Sequence, residues 1–142
     1  MNKALIDQRR IEVFFYGLFM DAELLPSKGA HPENVRIATV PGFELRIGQR
    51  ATLIRNAGSC AWGMLMQLTH AEIEQLYSEP SVQAYRAEAV LVQLSDGSFL
   101  PALCFNLANS PAPEEKNPEY AAKLKQLAIR LKLPAAYIEC IR

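Results

Sequence analysis

Histidine is scarce in this 142-residue chain: His31 and His70 are the only two, too few for a histidine-rich metal site. The three cysteines, Cys60, Cys104 and Cys140, are odd in number and widely spaced, with no Cys-x-x-Cys pair. That spacing argues against a disulfide framework and predicts buried, reduced thiols in a cytoplasmic protein. Neither charge is in surplus, with 15 Lys and Arg against 15 Asp and Glu. A binder of nucleic acid or of a membrane surface is expected to carry a basic excess, so neither partner is indicated. No apolar run is long enough to span a bilayer. Residues 1–7 lack the apolar core of a secretory signal. There are no internal repeats and no low-complexity tract. These absences leave one compact domain over residues 1–142, metal-free and cytoplasmic, with its oligomeric state open.

What the chain does have is apolar content, half of its residues, arranged mostly with strand periodicity. Residues 1–10 are a polar lead-in. Residues 11–16 are apolar nearly throughout, a strand with both faces covered. Asp21 is placed as N-cap of a short helix over 21–28, closed near Gly29. Residues 35–47 are strand-like, interrupted at Pro41-Gly42, and 43–47 alternate with period two. A turn at 48–50 leads to a strand at 51–54, a second turn is predicted at 56–59, and 60–68 form a strand in which Gly63 marks a bulge or close approach. Thr69-His70-Ala71-Glu72 is a capping box opening a helix that ends before Pro80. Strands at 85–94 and 99–107 flank a hairpin turn at 95–98. Residues 118–133 carry a helical stripe of Ala121, Leu124, Leu127, Ala128 and Leu131, and a last short helix packs Tyr137 and Ile141. Many strands, few helices and no βαβ alternation predict an α+β fold: a small, curved, mostly antiparallel barrel-like sheet with flanking helices.

Two segments carry candidate chemistry. The run Phe14-Phe15-Tyr16-Gly17-Leu18-Phe19-Met20-Asp21 leaves a strand through a glycine turn toward the predicted helix start. Read from its residues, this is either ordinary turn chemistry or an anion cradle of exposed N–H groups with a helix dipole behind it. The second is Glu79, just past the carbonyl-rich end of the capped helix. There a carboxylate is disfavoured, and any burial raises its pKa toward that of a useful general base. The alternative is a solvated glutamate before Pro80, or a partner for Arg86. Arg46 and Arg50 are either substrate-carboxylate ligands or solubilising strand residues. Cys60 and Cys104 read as core thiols, and Trp62, Met64 and Met66 as packing.

Taken together, Tyr16-Gly17-x-x-Met20 after an apolar strand, a central Leu-x-x-Glu ending at Glu79, and Tyr85-Arg86 opening a strand resemble the γ-glutamylcyclotransferase-like (AIG2-like) family over residues 11–107. The resemblance implies a small barrel-like sheet with flanking helices. It places Tyr16, Gly17, Leu18, Phe19 and Met20 in a loop that holds a γ-glutamyl head group through backbone groups. It makes Glu79 the catalytic acid/base and sets Tyr85 at the pocket. The activity implied is cyclisation of a γ-glutamyl amide or peptide to 5-oxoproline with release of an amine. Because attack by the α-amine is intramolecular, that reaction requires no metal or cofactor. The chain departs from the family pattern at Leu18, at Leu76-Tyr77-Ser78 where an aspartate precedes the glutamate, and at Phe105 where a tyrosine is usual. These changes make the pocket more apolar, and they motivate an alternative, a non-catalytic small-molecule-binding module of the same fold.

Overall fold

A computed structural model describes residues 9–142; most of the polar lead-in falls outside the described residues. Five strands form a closed barrel in the order β1-β3-β2-β4-β5, with β1 Arg10–Phe15, β2 Glu33–Ile47, β3 Ala51–Thr69, β4 Tyr85–Gln93 and β5 Phe99–Leu107. Every pairing is antiparallel except β1 with β5, where Val13 and Phe14 lie beside Leu103 and Cys104. Among the described residues three α-helices flank it: α1 His70–Leu76, α2 Pro118–Arg130 and α3 Ala135–Glu139. The α+β barrel expected from the strand pattern is therefore the observed fold. None of these helices is long and apolar enough to cross a membrane.

The core explains the closure. Val13, Phe14 and Phe15 on β1 are all buried, as are Met64, Leu65, Met66 and Leu68 on β3. Both faces are thus covered over Val13–Phe15 and Met64–Met66, as a continuous apolar run requires. Polar bonds add to the seam between β3, β4 and β5. The buried Asn106 side chain accepts from the Leu53 amide at 3.2 Å and donates to Glu88 at 2.8 Å. The Leu107 amide donates to the Thr52 hydroxyl at 2.9 Å. Gly63 is a close approach, as its spacing suggested: a Cβ there would lie 2.2 Å from the Phe15 carbonyl oxygen. The capping box is also present, with Thr69 accepting from the Glu72 amide and Glu72 accepting from the Thr69 amide.

Three expectations are corrected. No α-helix spans 21–28. The chain instead makes two short 3-10 turns, Leu18–Met20 and Leu25–Lys28, and Asp21 caps the C-terminal end of the first. The second stops at Gly29, whose φ of 87° is the left-handed closure glycine permits. The turn predicted at 56–59 lies within β3, where the register jumps: Phe43 pairs with Arg55 but Pro41 with Cys60. Those four residues face Gly42 alone, so the strand bulges there without ending. Finally, Cys104 is buried, but Cys60 and Cys140 are exposed.

Candidate active site

β1 delivers Tyr16 and Gly17 to one end of the barrel. A 3-10 turn follows at once, with the Met20 amide donating to the Gly17 carbonyl at 3.0 Å and Asp21 to Leu18 at 3.2 Å. Within the described residues, the Gly17, Leu18 and Phe19 amides donate to no backbone carbonyl. They remain the donors a cradle needs, although the turn is too short to add the helix dipole that the sequence reading invoked. Gly17 permits a close neighbour: a Cβ on it would meet the Tyr120 hydroxyl at 2.6 Å. Tyr120 comes from the first turn of α2, which Asn117 caps by accepting from the Tyr120 amide at 3.1 Å. The 3.0 Å pair between Arg130 and Asp21 fastens the far end of α2 to the same stretch of chain.

Gly17 and Glu79 line one cavity of about 550 Å³. Tyr16, Leu18, Phe19 and Tyr85 line it as well. Met20 does not; its side chain is buried in the core. Glu79 sits between α1 and a 3-10 turn at Pro80–Val82. Its Oε1 accepts from the Lys28 ammonium at 2.9 Å, and its side chain is 38% exposed. The carboxylate is therefore neither dry nor unpaired.

The walls are aromatic. Phe19 meets Phe15 and Tyr77 edge-on, at 5.9 and 5.8 Å between ring centroids. Tyr77 stacks on Phe105 at 3.9 Å, and Tyr85 lies tilted against Tyr77 at 6.3 Å. Lys28 lies over the Phe19 ring at 5.9 Å. Two of the phenols are engaged: Tyr16 donates to the Phe105 carbonyl at 2.6 Å, and Tyr85 donates to the Ala51 carbonyl.

Burial holds all four tyrosines of this cavity in the neutral form. It pushes Tyr16 and Tyr77 well above the ordinary phenol range, with Cys104 adding to each. It takes Tyr85 up to about 12, against a smaller opposing pull from Arg50. Tyr120 is raised by burial and by Tyr85, more than contact with the Leu18 amide lowers it. Neutral phenols donate hydrogen bonds but do not accept protons near neutrality. Among the residues lining the cavity, Glu79 is the one acidic carboxyl group, and there is no histidine or cysteine.

Arg50 is exposed and lines the same cavity; the remaining candidates lie elsewhere. Arg46 pairs with Glu44 and lines a different cleft, where Cys60 and Cys140 also sit. Burial and then the Glu88 charge push the Cys104 thiol up to about 12, so it is an inert core group. His70 is exposed on the first turn of α1. Lys28 and Tyr120 were not anticipated as cavity residues. Their roles depend on contacts between segments far apart in the chain. The one local hint for Tyr120 was its place beside the apolar stripe of α2.

The model of the gamma-glutamyl cyclotransferase, AIG2-like family matches residues 13–124. The chain belongs to that family. A solved structure described as a gamma-glutamyl cyclotransferase superposes with a TM-score of 0.74 at 19% identity, covering 94% of this chain and 89% of the other. An uncharacterized protein from Homo sapiens gives 0.72 at 19% identity, over 95% and 89% of the two chains. A protein from Arabidopsis thaliana gives 0.66 at 18%, over 91% and 98%. At such identities these likenesses concern the fold. A search among curated proteins found no significant match.

Proposed function

We propose that this gamma-glutamyl cyclotransferase-like protein cyclises a γ-glutamyl amide or peptide to 5-oxoproline and releases an amine, with Glu79 as general acid/base. One observation carries the reading: the cavity's one acidic carboxyl group shares a 550 Å³ hollow with the backbone amides after Gly17 that no backbone carbonyl takes up. The α-ammonium of the substrate replaces Lys28 against Glu79 and loses a proton to it. The freed amine attacks the γ-carbonyl carbon, forming the ring C–N bond. As the amide C–N bond breaks, Glu79 returns the first proton to the leaving nitrogen and takes the second from the ring nitrogen, which then passes to the released amine. The Tyr120 hydroxyl, which the Leu18 amide contacts, is the donor for the oxyanion that develops between these steps. Folding the substrate back on itself supplies the remaining advantage, since the attack is intramolecular. The unpaired cysteines suit a cytoplasmic, reducing setting for this chemistry.

The Lys28–Glu79 ion pair favours a second reading, a binding module whose carboxylate is permanently neutralised. The two are separated by assaying 5-oxoproline from γ-glutamyl amino acids and γ-glutamyl alkylamines. Release that disappears in Glu79→Gln supports the enzyme. Thermal stabilisation by the same compounds without any product supports the module, and equal rates in the two proteins remove Glu79 from the mechanism.

A further inference from the structure

The two exposed cysteines, Cys60 and Cys140, line one cleft of about 820 Å³, separate from the cavity that holds Glu79. They reach it from distant parts of the chain: Cys60 lies on β3, and Cys140 caps the end of α3. Tyr137, one helical turn before Cys140, lines the cleft as well. Burial pushes its phenol up to about 12, the Trp62 amide opposes this, and Cys60 and Cys140 both add to it. Both thiols therefore lie within electrostatic reach of one hydroxyl group. Among the described residues no third histidine, cysteine or carboxylate joins them in a metal-binding group, which leaves sulfur chemistry as what they can do together.

We propose that Cys60 and Cys140 form a thiol-exchange site for small anionic disulfides and are joined by them in an intramolecular disulfide. The charge of the cleft selects the reagent. Of its two glutamates, Glu44 pairs with Arg46 at 3.5 Å, and Glu115 accepts from the Gln49 and Ala112 amides at 3.3 and 2.7 Å. Lys116, Lys125 and Arg142 also line it and make no ion pair among the described residues. Uncommitted cations favour the thiolate form of a neighbouring cysteine and draw in a carboxylate-bearing disulfide. One cysteine thiolate attacks a reagent sulfur, the reagent S–S bond breaks, and the first small thiolate leaves with the proton that the cysteine gave up. The second cysteine loses its proton and attacks the protein sulfur of this mixed disulfide, expelling the second small thiol. Two protein thiols are oxidised, and one disulfide is reduced to two thiols. The backbone on both sides can yield. Cys60 faces Pro41, which has no N–H to give the ladder, beside the register jump of β3. Cys140 follows a helix of five residues.

The test treats the reduced full chain with dithiodipropionate, an anionic disulfide, and with cystamine, a cationic one. Dithiodipropionate should oxidise the chain about tenfold faster at low salt, and the difference should shrink as salt is added. By mass the product lacks two hydrogens, and a non-reducing peptide map joins the Cys60 and Cys140 peptides. Cys104, buried in the core, remains a free thiol and serves as the internal control. Cys60→Ser and Cys140→Ser should each stop at a stable mixed disulfide on the remaining cysteine. Closing a loop of about 80 residues should raise Tm by about 5–15 °C, and dithiothreitol should reverse the rise. A parent chain carrying two separate mixed disulfides, or a disulfide between two chains, overturns the pair. Equal rates with the two reagents overturn the anionic class and leave the pair standing.

Discussion

Glu72 and Glu79 mark the two ends of α1, a helix of seven residues, and their surroundings are opposite. Glu72 is saturated. Its carboxylate accepts from the Thr69 amide at 2.8 Å and the His31 amide at 2.6 Å, and Arg10 lies at 3.5 Å. Its side chain is only 12% exposed. Burial alone would raise its pKa, yet the bonds from Thr69 and His31 outweigh that and lower it. Among the described residues Glu79 has one partner, on a flexible lysine stem, and it opens into a cavity. A carboxylate fixed by two backbone amides cannot change its protonation without loss to the fold. One held by a single mobile cation can exchange that cation for a substrate. The same residue type thus serves structure at one end of the helix and is open to chemistry at the other.

The widest separation between these ends should appear on substitution by glutamine. Glu79→Gln is expected to lower 5-oxoproline formation by roughly 10²- to 10⁴-fold, the range for losing a general acid/base, with little change in Tm. Glu72→Gln is expected to leave kcat near that of the parent and to cost about 1 kcal/mol of stability, as a lost cap does, measurable by denaturant titration. The pH dependence sharpens this second effect. A carboxylate whose folded pKa is lowered contributes stability above its unfolded pKa, and that contribution is lost as pH falls through the folded value. The stability gap between the parent and Glu72→Gln should therefore be full at pH 7 and should narrow as the pH is taken below the ordinary carboxylate range. A gap that persists unchanged in acid would show that the charge of Glu72 is not what the amides hold.

How far the two ends could be read from sequence differs for the same reason that they behave differently. The Glu72 end is local: Thr69 and Glu72 are three residues apart, and spacing alone identifies their reciprocal bonds. The β4–β5 hairpin and the close approach at Gly63 were legible in the same way. The 21–28 segment misled because Asp21 resembles a helix cap, whereas Pro26 and Gly29 shorten the chain into 3-10 turns. At the other end, Tyr16, Gly17 and Glu79 could be named from motif spacing. Their meeting in one cavity could not, because it depends on how β1 and the α1–β4 connection are brought to the same barrel rim. Lys28 is 51 positions from Glu79, and Tyr120 reaches Gly17 from the opposite end of the chain. No pattern within one segment encodes either contact. Exposure of Cys60 and Cys140 was missed because apolar neighbours in sequence do not determine which face of a strand is covered.

The smallest expected effect tests whether the cation at the Glu79 end is a competitor or a component. If the substrate ammonium takes the place of Lys28, then Lys28→Met removes a competitor from the carboxylate. KM for a γ-glutamyl alkylamine should then fall while kcat stays within about twofold. The pair is partly solvent-exposed, so it contributes on the order of 0.2–1 kcal/mol, and the fall in KM should be at most about fivefold. The same figure bounds the loss of folding stability. A rise in KM would mean instead that Lys28 binds substrate directly, and the availability that distinguishes Glu79 from Glu72 would then require the lysine to remain in place. Glu72 offers the control: Arg10→Met removes its nearby cation but leaves both amide bonds, so turnover should not respond. A matching drop in KM there would show that the lysine effect is a general change in charge, unrelated to exchange at the carboxylate.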